Sequence, residues 1–281
     1  MMKGVDISKW QAKLTIAQIK GAGYEFAIIR GGYSSNGAIR TKNIDKSFEK
    51  FYQQAKAIGF PVGVYYYSTA RNSAEGLAEA KFFYEKCLKG KQFEMPIYID
   101  VEDERWQGKD KNGVTNAIIE FCNYLESKNL YVGVYASLSW FNSKIDVARL
   151  KNYTKWVAKW VLGANAKPTV SFSAFDMWQY TDGGRIAGQN IDENIAYIDF
   201  PTVIKKANKN GFIDVNSPKP QETAHPKQSE QSNVARIHVV KAGETLSGIA
   251  YMYSTTVDSL MRKNTFIKDK NKIYAGQVLK I

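Results

Sequence analysis

The chain has 281 residues, 44% hydrophobic and 13% aromatic, more than one average domain requires and enough for a sizeable core. No apolar run approaches the ~20 residues of a membrane span, two distant cysteines (Cys87, Cys122) exclude a disulfide scaffold, and the opening MMKGVDIS lacks the apolar stretch of a secretion signal. The net charge of +12 points to a polyanionic partner, such as a nucleic acid, an anionic membrane or an anionic cell wall, without choosing among them.

In chain order, strand and helix signals alternate. Residues 3–7 form a short apolar start, and 26–30 (FAIIR) a continuous apolar run of the kind a buried parallel strand carries. A helical face recurs over 45–59 through Phe48, Phe51, Tyr52, Ala55 and Ile58, and Gly59 ends it. Residues 62–67 read as a strand, 73–88 as a helix capped by Ser73, 96–101 as a second buried strand, and 116–127 as a helix. Three further strands are predicted at 130–135, 156–160 and 174–180, with less helix between them. Repeated βα units of this length predict an α/β fold with a parallel sheet. About eight strands favour a TIM-like barrel with fewer than eight helices.

Residues 214–236 carry Pro218, Pro220 and Pro226 among Ser, Gln, Glu, Lys and Asn, so they read as a linker with little to bury. The expected domains are therefore 1–213, the linker 214–236, and a small module at 237–281. In that module a short strand precedes a helix that Thr245 caps. A second helix at 257–263 and a closing strand at 274–281 complete a βααβ pattern.

Both histidines, His225 and His238, lie in or after the linker. The large domain therefore cannot run Ser-His-Asp or Cys-His chemistry, and it lacks the imidazoles of most hydrolytic zinc sites. It must use carboxylates, Tyr, Lys or a carboxylate-bound metal, and no metal or cofactor is expected. Asp6 ends the first strand, and Asp100 and Glu102 end the strand Ile97-Tyr-Ile-Asp-Val-Glu. A spacing of two places Asp100 and Glu102 on one strand face, at the barrel end where functional groups gather. Paired carboxylates push their pKa values apart, so one stays protonated while the other ionises, which is the equipment of glycosidic cleavage. Aromatic side chains near strand ends, among them Tyr65, Tyr67, Tyr135, Trp160 and Trp178, suit the apolar faces of sugars. Nucleic acid is disfavoured, because the tyrosine clusters adjoin carboxylates that repel phosphate.

The ordered set Asp6-Ile-Ser8 with Trp10-Gln11, Val64-Tyr-Tyr-Tyr-Ser68, Asp100-Val-Glu102, Trp156-Val-Ala158, Trp178-Gln-Tyr180 and Ile191-Asp-Glu-Asn194 resembles the family-25 glycoside hydrolases, the Chalaropsis-type lysozymes common as phage endolysins. The resemblance implies five βα units plus three further strands. It also implies cleavage of the β-1,4 bond between N-acetylmuramic acid and N-acetylglucosamine. Carried over by position, it makes Glu102 the general acid. Asp100, Asp6 and Asp192 match the family's aspartates, Asp100 to orient the substrate's N-acetyl group and Asp6 and Asp192 to tune Glu102, position a water or hold the sugar. Tyr65, Tyr67, Tyr135, Trp160, Trp178 and Gln179 are the expected substrate contacts. Trp160 and Asp182 depart from the residues common at those positions. An N-acetylglucosaminidase on the same scaffold and a non-catalytic glycan-binding protein are the rival readings.

The module resembles a LysM domain through Gly243-Glu-Thr-Leu246 and Ala275-Gly-Gln-Val-Leu-Lys-Ile281. That resemblance implies glycan contacts at Gly243, Glu244, Thr245 and Leu246, and at Ile267 and Tyr274 in the second loop. The partners expected are peptidoglycan strands and, through the positive charge, anionic wall polymers, with neither nucleic acid nor membrane insertion. Without a secretion signal, the protein is expected to be made in the cytoplasm and to reach the wall after release, as a phage lysin does, or by another export route.

Overall fold

The computed structural model describes all residues except 36–40, 106, 108–109, 161–174, 213–236, 241–244, 247–248, 251–252, 254–256, 271 and 275. Nine strands form one sheet: β1 (Met2–Ile7), β2 (Phe26–Ser34), β3 (Lys42–Ile44), β4 (Val62–Ser68), β5 (Ile97–Val101), β6 (Val132–Ser137), β7 (Thr154–Ala158), β8 (Met177–Ile186) and β9 (Gln189–Ala196). Their order is β1-β9-β8-β7-β6-β5-β4-β2-β3, and β1 also pairs with β2, so eight strands close into a barrel and β3 hangs on the end of β2. Pairing is parallel from β1 through β2, β4, β5, β6 and β7 to β8; β9 alone runs antiparallel to both neighbours in the barrel. Helices α1 (Ile16–Gly21), α2 (Phe48–Ala57), α3 (Ser73–Phe83), α4 (Lys111–Glu126) and α5 (Leu138–Ser143) follow β1, β3, β4, β5 and β6, and α6 (Phe200–Lys206) follows β9. These are the five βα units and three further strands expected of the large domain.

The period of two along each strand sorts side chains into two layers. On β5, Ile97, Ile99 and Val101 join the cluster beneath the helices, while Tyr98 belongs to the barrel interior with Phe26, Ile28, Met95, Tyr135, Trp156 and Met177. The inner layer is aromatic: the Trp156 ring lies 4.4 Å from Tyr135 and 5.1 Å from Tyr98, centroid to centroid. Each such side chain contributes roughly 1.5–3 kcal/mol when fully buried. Small residues make room for these rings. A Cβ on Gly133 would sit 2.4 Å from Thr154 and 2.5 Å from Tyr98.

Three local details differ from the sequence expectation. Asn72, not Ser73, caps α3, accepting the Glu75 N–H, and Ser73 is the first helical residue. Helix α4 begins at Lys111 rather than near 116. Strand β8 runs on to Ile186 and returns as β9 through Ala187 and Gly188, whose φ values are 46° and 77°. An alanine in the left-handed region is an uncommon turn signal, and this is why the hairpin escapes a composition reading. Helix α1 was also not anticipated, although Thr15 and Gln18 form a reciprocal capping box that marks its start.

The chain divides into two compact units, Met1–Lys219 and Pro220–Ile281. The linker expected at 214–236 lies outside the described residues, as do Gly243 and Glu244. In the second unit, Ile237–Val239 pairs antiparallel with Val278–Lys280. Residues 246 and 249–250 are helical, and a further helix spans Val257–Lys263. Val240, Leu246, Ile249, Ala250, Leu260, Ile267 and Leu279 make its core. Asn264 ties this helix to the last strand, donating to the Leu260 and Lys280 carbonyls and accepting the Lys280 N–H. Among the described residues, no helix is long and apolar enough to cross a membrane.

Candidate active site

The C-terminal ends of the parallel strands open into two adjoining hollows of about 300 and 310 Å³. Both are lined by Asp6, Tyr65, Asp100, Glu102 and Asp192. Strand register explains the convergence. Asp6 stands opposite Asp192 on β9, and Asp100 lies between Tyr67 on β4 and Tyr135 on β6. Each of these faces the barrel interior. Glu102 follows the last residue of β5 and its side chain opens onto solvent at the mouth.

Asp6 is the most constrained of the four carboxyl groups. Its Oδ2 accepts from Gln179 Nε2 at 2.9 Å and from Asn194 Nδ2 at 2.9 Å. Both amides are themselves held. Gln179 Oε1 accepts from Tyr135 Oη at 3.0 Å and from Trp160 Nε1 at 3.1 Å, and Asn194 Oδ1 accepts from Trp156 Nε1 at 2.8 Å. Asp192 is hydrogen-bonded to Asp6, and burial together with the Asp6 charge pushes its pKa up to about 9, so it carries the pair's proton at neutral pH. Asp100 is buried, its Oδ1 has no partner among the described residues, and burial followed by the Glu102 and Asp6 charges raises its pKa well above the usual carboxylate range. Glu102 is pushed up to about 7, chiefly by the protein surrounding its carboxyl group, then by Asp6 and Asp103. A carboxyl group poised there is able to give and take a proton near neutral pH.

The loop that carries Glu102 is fastened from behind. Asp103 is buried; its Oδ2 accepts from Tyr67 Oη at 3.1 Å and its Oδ1 from the Arg105 N–H at 3.1 Å. The Asp103 N–H donates to Gln107 Oε1 at 3.2 Å, and Gln107 Nε2 donates to the Ala70 carbonyl at 3.0 Å. Ser68 Oγ in turn donates to the buried Glu79 at 2.6 Å. This polar chain joins the ends of β4 and β5 to α3. Such satisfied buried networks hold a unique geometry.

Of the expected substrate contacts, Tyr65, Tyr135, Trp160 and Gln179 line the first hollow, and Tyr65 and Tyr67 the second. Trp178 does not belong with them. Its ring is fully buried in the layer beneath the helices, near Tyr180, and its Nε1 donates to the Lys159 carbonyl. Gln179 faces inward, so its neighbour on the strand faces outward. In the second unit, the side chains of Leu246 and Ile267 are core, not ligand-facing, whereas Thr245 and Tyr274 are exposed. Trp10 and Arg30 line the second hollow without being among the expected contacts, Trp156 lines the first, and Asn194, fully buried, accepts from Trp156 Nε1. Asn194 was legible in principle, two positions after Asp192 on the same strand face.

A barrel with carboxyl groups clustered at the C-terminal ends of its strands, walled by aromatic rings, has the build of a glycoside-hydrolase site. Residues 5–189 match the sequence profile of glycosyl hydrolases family 25, and residues 238–281 that of the LysM domain. The chain belongs to glycosyl hydrolases family 25 and carries a LysM domain at residues 238–281. It is 27% identical over 187 residues to the autolytic lysozyme of Clostridium acetobutylicum, covering 66% of this chain and 52% of that one. It is 26% identical over 202 residues to lysozyme M1 of Streptomyces globisporus, covering 68% and 65%. The chain thus spans about half to two thirds of the length of these relatives. Among solved structures, the bacterial lysozyme of Streptomyces coelicolor superposes with a TM-score of 0.61 at 25% identity, covering 74% of this chain and 97% of that one.

Proposed function

We propose that this protein is a peptidoglycan hydrolase of the muramidase type, cleaving the β-1,4 bond between N-acetylmuramic acid and N-acetylglucosamine. The observation that carries this reading is the pairing of a solvent-facing Glu102, with a proton affinity near neutrality, with a buried Asp100 two residues before it. Glu102 donates its proton to the leaving glycosidic oxygen. Asp100, with one carboxyl oxygen unpartnered, takes the N–H of the sugar's acetamido group and turns that group toward the anomeric carbon. Asp192 keeps the proton it shares with Asp6, so this corner of the site stays close to a single negative charge. Tyr65, Tyr67, Tyr135, Trp160 and Gln179 hold the glycan. The names of the relatives, lysozymes from Clostridium and Streptomyces, support the same reading.

The LysM unit tethers the barrel to wall glycan through residues 214–236, and Gly243, Glu244 and the exposed Thr245 and Tyr274 are its glycan contacts. Tethering raises the local enzyme concentration at the wall, and the net charge of +12 adds a screened attraction to anionic wall polymers. The place of action is the cell wall. Digestion of purified peptidoglycan followed by mass spectrometry tests the proposal. Fragments ending in reducing N-acetylmuramic acid are expected, and reducing N-acetylglucosamine ends would replace this reading with that of a glucosaminidase. A Glu102→Gln variant that still cleaves would remove Glu102 as the acid.

A further inference from the structure

Arg30 is anchored from behind, and the group it shares an inner face with is Asp100. It ends the apolar run of β2, on the face of Phe26 and Ile28, in register with Tyr65 on β4. Two residues further along β4, Tyr67 is in register with Asp100 on β5. Arg30 and Asp100 therefore flank one stretch of β4 from either side, and both line the 310 Å³ hollow. Behind Arg30, its Nε donates to Asp45 Oδ2 at 2.7 Å, and the Asp45 side chain is fully buried. Asp45 also accepts the Lys9 N–H at 3.2 Å and the Ser47 N–H at 2.9 Å. The guanidinium lies 5.3 Å from the Tyr33 ring. Such an anchor fixes the direction of a long side chain before any substrate arrives.

Arg30 Nη2 and Asp100 Oδ1 are both buried with no hydrogen-bond partner among the described residues. Neither atom is open to the cleft, so substrate satisfies neither. One is a donor that carries part of a positive charge, and the other is an acceptor. The groups around Asp100 are otherwise acidic or neutral: Asp6 on β1, Tyr65 and Tyr67 on β4, Glu102 just beyond β5, Tyr135 on β6 and Asp192 on β9. Among the described residues that line the two hollows, Arg30 is the one cation. Burial, Glu102 and Asp6 push the proton affinity of Asp100 up, and Arg30 pulls it down.

We propose that Arg30 is a positioning residue that acts through Asp100, its anchored guanidinium supplying the positive charge that draws the buried Asp100 carboxyl group into its ionised form and leaves Oδ2 for the sugar. This rests on the muramidase reading above, in which Asp100 takes the acetamido N–H. A carboxylate accepts that N–H more strongly than a neutral carboxyl group does. The attraction between the two side chains runs through protein and not through water, and it strengthens when a bound glycan displaces water from the hollow. The alternative is that Arg30 is a strut, tying β2 to Asp45, with Asp100 indifferent to it.

Two measurements on the full-length protein separate these. The first needs no substrate. Carboxyl-carbon NMR follows the titration of Asp100, identified by the signal lost in Asp100→Asn. In Arg30→Gln, which removes the charge, that titration is expected to move up by about one pH unit or more, and in Arg30→Lys, which keeps it, by clearly less. An unmoved titration in Arg30→Gln would overturn the proposal. The second is turnover on soluble glycan, with each variant made in the wild-type and the Asp100→Asn backgrounds. Arg30→Gln is expected to lower kcat about tenfold, the change in ionised fraction that one pH unit brings, with KM nearly unchanged. In the Asp100→Asn background it should add little, because the two residues act as one unit. Equal losses in both backgrounds, or a loss confined to KM, would assign Arg30 to the strut. If Arg30→Gln does not fold, Arg30→Lys carries the same comparison, since its smaller loss must also vanish in the Asp100→Asn background. A shifted Asp100 titration without reducing N-acetylmuramic acid among the wild-type products would uphold the link between Arg30 and Asp100 and overturn the muramidase reading instead.

Discussion

Asp6 on the first strand of the barrel stands directly opposite Asp192 on the last, and the two carboxyl groups are hydrogen-bonded to each other. Two carboxyl groups in contact, Asp6 buried and Asp192 half-buried, do not both ionise at neutral pH, so one proton is held between them. Asp6, with two amide donors on Oδ2, is the better seat for the charge, and Asp192 for the proton.

The two positions should therefore respond differently to substitution. Asp192→Asn retains a donor toward Asp6 and is expected to cost little stability. Asp6→Asn turns an acceptor of two amide N–H groups into a mixed group and leaves at least one buried donor facing another, at a cost of about 1–3 kcal/mol. Thermal or urea unfolding of the two variants measures the difference. Asp192 also sets a pH dependence. Its folded pKa, near 9, is above the unfolded value, so the stability linked to its proton is full at pH below the unfolded value and is lost as pH rises toward 9. Asp192→Asn should flatten the stability curve over that window.

With Glu102 as the acid, kcat/KM on soluble glycan should fall on the alkaline side with an apparent pKa of about 7. Glu102→Gln should lose roughly 10²–10⁴-fold in turnover with its melting temperature nearly unchanged.

Asp103 supports Glu102 in two ways, by fastening its loop and by contributing negative charge that raises its proton affinity. Asp103→Asn keeps the size of the side chain and removes the charge. The alkaline limb of the pH profile should then move to lower pH. A uniform loss of activity with an unmoved limb would assign Asp103 to loop structure alone.

Trp160 and Trp178 make a direct comparison. Trp178 is fully buried, and Trp178→Ala should destabilise the barrel by about 3–5 kcal/mol. Trp160 is 56% exposed at the mouth and donates to Gln179, so Trp160→Ala should raise KM with little change in melting temperature. Calorimetry and initial-rate kinetics on the two variants test the pair together.

Ending the chain near residue 217 should leave a folded barrel with nearly unchanged turnover on short soluble glycans and weaker attachment to whole walls. The residues from His225 onward carry nine Lys or Arg against four Asp or Glu, so part of the lost attachment should disappear with added salt, screened over about 10 Å at 0.1 M. Pull-down on purified walls at two salt concentrations measures both parts. A truncated protein that does not fold, or one that binds walls as well as the full chain, would contradict the tether.

The amino-acid sequence alone determined the features that are local. The apolar run 26–30 and the Ile97-Tyr-Ile-Asp-Val-Glu segment announce buried strands because both faces of a barrel strand are covered, and Asp100 and Glu102 announce chemistry because a period of two sets them at one strand end. The absence of histidine before residue 225 removed whole reaction classes for the same reason, since composition needs no coordinates. Tertiary structure decided what depends on barrel closure. It brought Asn194 within 2.9 Å of Asp6 across 188 positions of chain, an antiparallel return that hangs on a left-handed alanine turn. It turned Trp178 into the outer layer and Gln179 into the cleft, because the pleat assigns a face only once the register is set. It put the side chains of Leu246 and Ile267 into a core that a small module fills with few residues. Above all it decided proton affinities. Glu102, Asp100 and Asp192 are the same kind of group in the sequence, and only the burial and neighbours that folding gives each one separate an acid near 7 from a proton held up to about 9.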